Sequence, residues 1–320
     1  MPRFRFLALA ALYLALIVVP LGAYVRLSDA GLGCPDWPGC YGKLVGVPEH
    51  PAEQSAAMQA FPDKPVEPAK AWKEMIHRYV AGTLGLLIFA LCWLNWRRRP
   101  AVSAGLAGMI VFQALLGMWT VTLLLKPAIV TGHLLGGMTI VALLAMLAMR
   151  ERDLESRRFA PPGATAIARI ALLATVVQIA LGGWVTSNYA ALACQDFPTC
   201  QGAWLPEMDF GHAFTVVREL GRTDDGALLP LTALTAIHWM HRLGALLVFA
   251  SVGALILRLR SSPAWRDWAV ALTITLLLQV GLGVANILLS LPLPLAVAHN
   301  FGAALLLLHV VAVNERLAAG

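Results

Sequence analysis

Four histidines are the residues of this chain best placed to do chemistry. His77, His133, His241 and His299 each fall near the start of an apolar run long enough to cross a bilayer, a setting where an ionisable side chain is costly and marks function by default. They form two pairs, one in each half of the chain. Imidazoles facing one another across neighbouring bundle helices can occupy the two axial positions of a haem iron. Zinc is the competing metal, but its sites gather three or four nitrogen, sulfur or oxygen ligands, and two symmetric histidine pairs suit haem better. Small residues follow two of the four, in His133-Leu-Leu-Gly-Gly-Met and His299-Asn-Phe-Gly-Ala-Ala, where a flat macrocycle or a second helix can come close. Arg78 and Arg242 directly follow His77 and His241; each guanidinium can meet a haem propionate or reach toward lipid headgroups. His50 and His212 read as solvated loop residues, and His309, ten positions past His299, as an interhelical hydrogen-bonder.

The two halves differ beside one ligand. Glu74 precedes His77 by three residues, whereas His238 stands at the matching place before His241, and a spacing of three shares one helix face. A carboxylate at a haem edge can move protons or stabilise positive charge developing at a reacting carbon. The chemistry is therefore assigned to the first site and electron transfer to the second, with His238 as a further propionate contact. Helix capping, or a place in interfacial water, is the plainer role for Glu74. Four of the five cysteines also pair by spacing, Cys34 with Cys40 and Cys194 with Cys200, five residues lying between the members of each pair. On the outer side of a membrane they favour a disulfide within each loop, with thiol-disulfide exchange an open alternative for the first pair. Zinc binding by these cysteines finds no further ligand repeated in both loops. Cys92, alone in an apolar run, reads as a packing residue.

Composition sets the elements that must hold these residues. The 320 residues are 59% hydrophobic and 13% charged, with mean hydropathy +0.71, whereas soluble chains carry about 25% charge. This is an all-α, polytopic membrane protein. The net charge of +6 lies in short clusters beside apolar runs, which orients helices and excludes nucleic-acid binding. Apolar stretches of spanning length fall near 6–27, 74–96, 101–124, 128–149, 164–186, 235–257, 267–290 and 295–314. The first follows Arg3 and Arg5 but has no small-residue cleavage pattern, so it reads as a helix and not as a signal peptide. Thirteen basic residues fall on one side: Arg3, Arg5, Arg97, Arg98, Arg99, Arg150, Arg152, Arg157, Arg158, Arg258, Arg260, Arg266 and Arg316. Seven fall on the other: Lys43, Lys64, Lys70, Lys73, Lys126, Arg218 and Arg222. Both termini are therefore expected in the cytoplasm and the long loops 28–73 and 187–234 outside, which puts the histidines toward the periplasmic face.

The chain also repeats itself. Leu21-Gly-Ala-Tyr-Val, Cys34, Cys40 and His77-Arg78 return as Leu181-Gly-Gly-Trp-Val, Cys194, Cys200 and His241-Arg242; Gln113 stands 20 residues before His133, as Gln279 does before His299. Two tandem four-helix bundles related by a pseudo-twofold axis along the membrane normal follow: residues 1–150, a cytoplasmic linker at 151–163, and 164–320.

Taken together, the eight spans in two repeats, the loop Gly31-Leu-Gly-Cys34-Pro-Asp-Trp-Pro-Gly-Cys40, Glu74-x-x-His77-Arg78 and the histidines at 133, 241 and 299 resemble the haem A synthase family of CtaA type. The resemblance covers nearly the whole chain. It implies oxidation of the methyl group at porphyrin carbon 8 of haem O to a formyl, through successive hydroxylations and loss of water from a geminal diol. It further implies that haem O binds between His77 and His133 with Glu74 as the catalytic carboxylate, and that a haem b cofactor is held by His241 and His299. It also implies a multi-pass protein of the bacterial inner membrane that receives haem O from a haem O synthase. A redox donor and a homo-oligomer are further expected partners, within the lipid bilayer. The Pro-rich stretch from Val47 to Pro68 has no match in that pattern and reads as a flap over the first site. Two rival functions fit the histidines alone: a bis-histidine cytochrome that only carries electrons, and a haem-handling transporter.

Overall fold

The computed structural model describes residues 2–150 and 160–318. Most of the linker expected at 151–163, with Arg152, Arg157 and Arg158, lies outside the described residues. Among the described residues eight helices are long and apolar enough to span a membrane: α1 (Pro2–Leu27), α3 (Pro68–Asn95), α4 (Pro100–Thr122), α5 (Pro127–Arg150), α6 (Ala164–Ser187), α8 (Leu231–Leu259), α9 (Arg266–Leu288) and α10 (Leu293–Ala318). Two short helices lie in the long loops, α2 (Pro51–Ala60) and α7 (Phe210–Ala213). No strand occurs among the described residues.

Proline opens α2, α3, α4 and α5, where its missing N–H is one the helix start leaves unpaired anyway and its fixed φ suits the first turn. For this reason α3 begins at Pro68 and not near 74, while α8, with Pro230 at its N-cap, begins at Leu231 and not near 235. The polar or mixed first turns of both helices hide their starts from a hydropathy reading. His77 and His241 consequently lie more than two turns into their helices rather than in the first turns.

Within the first half α1 packs on α3 and α5, α3 on α4, and α4 on α5; within the second, α6 packs on α8 and α10, α8 on α9, and α9 on α10. The same pairings thus occur in each half. Across the middle, α1 meets α10, α6 meets α5, and α5 meets α10. The apolar core of the first half, with Leu16, Ile88, Leu106 and Leu144 buried, takes in Ile179 and Leu307 from the second. A separate core of the second half centres on Val252, Leu255, Leu272 and Val310.

Local backbone repeats too. The α4–α5 turn places Leu124 and Leu125 at φ 52° and 57°, and the α9–α10 turn places Ser290 and Leu291 at 57° and 61°. Left-handed backbone costs a side-chain-bearing residue about 1–2 kcal/mol, offset in part where Leu125 N–H donates to Thr120 at 2.8 Å and Leu291 N–H to Asn286 at 2.7 Å. Each long loop starts with a disulfide, Cys34–Cys40 and Cys194–Cys200, Cα atoms 4.8 and 4.7 Å apart. Behind each, an aspartate gathers two backbone N–H groups: Asp36 from Tyr41 and Gly42 at 2.7 and 2.8 Å, Asp196 from Gln201 and Gly202 at 2.7 and 3.0 Å.

The stretch from Val47 to Pro68 is built into the first loop. It carries α2, buries Val47 and Ala57 with Cys34, Cys40, Tyr41 and Met75, and sets Phe61 edge-on to Tyr41 at 5.7 Å. Lys43 pairs with Glu53 at 2.6 Å, and Trp72 Nε1 of α3 donates to Glu49 at 2.7 Å. A small apolar core of its own ties this segment to the base of α3.

Candidate functional site

Each of the four histidines rests on a glycine of a neighbouring helix. A methyl group placed on Gly22 (α1) would stand 2.9 Å from Cε1 of His77 (α3); on Gly117 (α4), 3.1 Å from that of His133 (α5); on Gly182 (α6), 3.0 Å from that of His241 (α8); and on Gly283 (α9), 3.1 Å from that of His299 (α10). Carbon atoms prefer about 3.5–4.0 Å, so any larger residue displaces the ring. The rings are half-buried. His77 lies within Coulombic reach of His133, and His241 of His299 and His238.

Nδ1 of His77, His133 and His299 is buried without a hydrogen-bond partner, a state whose cost of about 1–3 kcal/mol calls for an explanation. A bound metal ion or an ordered water is the ordinary explanation of such a nitrogen. No group of three or more histidine, cysteine, aspartate or glutamate side chains is arranged for a metal among the described residues. The chemistry of the donors, unengaged imidazole nitrogens backed by bare helix surface, fits iron porphyrins held by histidine pairs.

Glu74 is 5% exposed and caps no helix, since the residue before α3 is Glu67. Its Oε2 accepts the Cys34 N–H at 2.9 Å and its Oε1 pairs with Arg78 at 2.5 Å. Arg78 also donates to the carbonyls of Asp36 at 3.0 Å, Pro38 at 3.2 Å and Gly39. In the second half His238, 4% exposed, accepts the Cys194 N–H at 3.4 Å through Nδ1. Arg242 donates there to Thr199, Asp196 and Cys194 carbonyls at 2.7, 2.8 and 3.1 Å and retains a buried, unpartnered Nε. Glu74 and His238 therefore do one job in common, fastening a disulfide loop over a histidine helix. Only the first does it with a carboxylate.

The loops themselves carry different charge environments. Burial, then the carboxylates of Glu67, Glu74 and Asp36, pushes the Tyr41 phenol up. The Thr199 hydroxyl and the backbone N–H groups of Gly202 and Gln201 hold the Asp196 carboxyl down at about 2. Burial lowers the Arg218 guanidinium, which reaches Asn188 and lies 5.7 Å from the Trp184 ring.

Three features escaped the sequence reading. The glycine beneath each histidine is one, although the repeat aligns Gly22 with Gly182 and Gly117 with Gly283. Gln178 is the second: its Nε2 lies 3.0 Å from Nδ1 of His241 and 2.9 Å from the same residue's carbonyl. The third is Arg26 at the end of α1, which donates to the Tyr189 hydroxyl at 2.6 Å and to the Thr186 carbonyl at 3.3 Å, its guanidinium 4.1 Å from the Tyr189 ring centre.

Fold and site together give a chain that fits a multi-pass membrane protein, with eight helices of spanning length among the described residues and four histidines each set against a glycine of a neighbouring helix. Residues 5–311 match the family model of the COX15-CtaA cytochrome oxidase assembly proteins, and the chain belongs to that family. It is 42% identical over 313 residues to the heme A synthase of Shewanella oneidensis, covering 95% of this chain and 93% of that protein. It is 28% identical to the heme A synthase of Halalkalibacterium halodurans (85% and 83% covered) and 29% identical to that of Methylobacterium radiotolerans (97% and 88%).

Proposed function

We propose that the chain is a haem A synthase, an integral-membrane enzyme that oxidises the C8 methyl group of haem O to a formyl group and so provides haem A for cytochrome oxidases. The observation that carries this reading is the set of four glycine-backed histidines in a chain 42% identical to a heme A synthase over nearly its whole length. His77 and His133 hold the substrate haem in residues 1–150; His241 and His299 hold haem b in residues 164–320. Haem b, when bound, would supply one-electron redox chemistry.

The remaining roles belong to the chain's own side chains. Glu74 keeps a buried carboxylate in the first half, where it stabilises positive charge or accepts a proton at the reacting carbon. Arg78 fixes that carboxylate and the loop above it. Arg242, through its spare Nε, and His238 meet the propionates of the second haem. The matched helix pairings and matched turns support a pseudo-twofold relation between the halves. The distribution of arginine supports cytoplasmic termini, loops 28–73 and 187–234 outside, and histidines toward the periplasmic face of a bacterial inner membrane. Delivery of haem O by a haem O synthase, a membrane redox donor and a homo-oligomer complete the proposal.

The test extracts haem from cells with and without the protein and looks for the formyl-bearing product. Glu74→His is the informative variant, because His238 already holds its loop with an imidazole: expected are an anchored loop, retained haem and no formyl product. Unchanged haem in wild-type cells, as an electron carrier or a transporter would leave it, refutes the assignment.

A further inference from the structure

Three of the four histidines have a glutamine at their side, and the exception is informative. Gln113 Nε2 donates to the His133 carbonyl at 2.8 Å; Gln178 Nε2 does the same to His241 at 2.9 Å and lies 3.0 Å from its Nδ1; Gln279 Nε2 lies 3.4 Å from Nε2 of His299. Each glutamine stands four residues before the glycine under the ring, and each histidine has a second glycine three residues after it, at 136, 244 and 302. That second glycine makes room for the amide: a methyl group on it would fall 2.0, 2.1 or 2.3 Å from the glutamine Oε1. At His77 the matching positions are Val18 and Val80. The glycine under the ring, Gly22, is kept, while the amide and its slot are both replaced by branched apolar side chains.

The three amides share a further property. Oε1 of Gln113, Gln178 and Gln279 is buried without a partner. A ligating histidine is held in orientation by the groups around it, and each glutamine engages the histidine it touches, or that residue's backbone carbonyl, through Nε2. We propose that Gln113, Gln178 and Gln279 are positioning residues that hold His133, His241 and His299 in ligating orientation, and that unbraced His77 is the ligand through which the first site exchanges its haem. This rests on the reading of the site given above. It explains how similar histidine pairs keep a cofactor on one side and release a product on the other: the second pair is braced at both ligands, the first at one.

The test uses the purified full-length protein loaded with haemin, with apomyoglobin as acceptor. Wild type is expected to lose haem in a fast phase, from the first site, and a slow phase. Gln178→Leu and Gln279→Leu should each speed the slow phase about tenfold, the size of one hydrogen bond, and shift the low-spin electron paramagnetic resonance signal of the haem that remains. Val18→Gln with Val80→Gly should slow the fast phase by a similar factor. Gln178→Met, which keeps length and loses the amide, should match Gln178→Leu. Slow-phase rates and resonance signals unchanged in both leucine variants, or a fast phase unchanged in the valine double variant, overturn the proposal. Failure of the underlying ligand assignment looks different: His241→Ala and His299→Ala would then keep the slow-phase haem.

Discussion

Gly182→Ala places one methyl group against one imidazole, and the structure fixes the consequence. The new carbon would lie 3.0 Å from Cε1 of His241, with Nδ1 and Nε2 at 3.7 and 3.9 Å. Relief to ordinary contact requires a displacement of about half an ångström or more. The ring cannot slide freely, since Gln178 engages its Nδ1 at 3.0 Å and the backbone carbonyl behind it at 2.9 Å. Overpacking of this kind costs about 1–3 kcal/mol, which at about 1.4 kcal/mol per decade is a loss of roughly fivefold to 150-fold in haem affinity. Gly281→Ala and Gly253→Ala are the controls, because a methyl group there meets nothing within 4 Å. The assay is the Soret absorbance per mole of purified protein, followed as haem is titrated. If Gly182→Ala binds haem as tightly as Gly281→Ala, the steric argument for the ligand pocket is wrong.

Gly33→Ala should loosen the first disulfide loop, because its methyl group would sit 2.7 Å from the Lys70 carbonyl group, whereas Gly31→Ala meets only Leu125 at 3.5 Å and should be silent; proteolysis of the loop at graded protease reads the contrast. The Asp196 carboxyl, held at about 2 against an ordinary value near about 3.9, is depressed on folding. Its contribution is present above the ordinary value and lost as pH falls through about 2, so the exchange protection factors of the Gln201 and Gly202 amides should fall over this acid interval in wild type and not in Asp196→Asn. Arg26→Leu removes a 2.6 Å bond to Tyr189 and a ring contact at 4.1 Å, and should lower stability by about 0.5–1.5 kcal/mol, measured as a shift in thermal unfolding in detergent.

The spans were legible because twenty-residue apolar runs have few other meanings, and the four histidines because burial makes each of them expensive. The starts of α3 and α8 were not, since Pro68-Ala-Lys and Leu231-Thr-Ala give no hydropathy signal while still suiting a helix. The Val47–Pro68 stretch read as a flap because its prolines hide α2 and its buried residues, Val47 and Ala57, are too few to show a period. Gln178 escaped because Val18 breaks the match in the other half. Glu74 was noticed as an acid, yet its grip on the Cys34 N–H depends on a contact across 40 residues that no local pattern encodes.

The meeting of α5 with α10 has an architectural consequence. These two helices carry His133 and His299, one from each half of the chain, so a shift on the seam between them reaches a histidine in both halves.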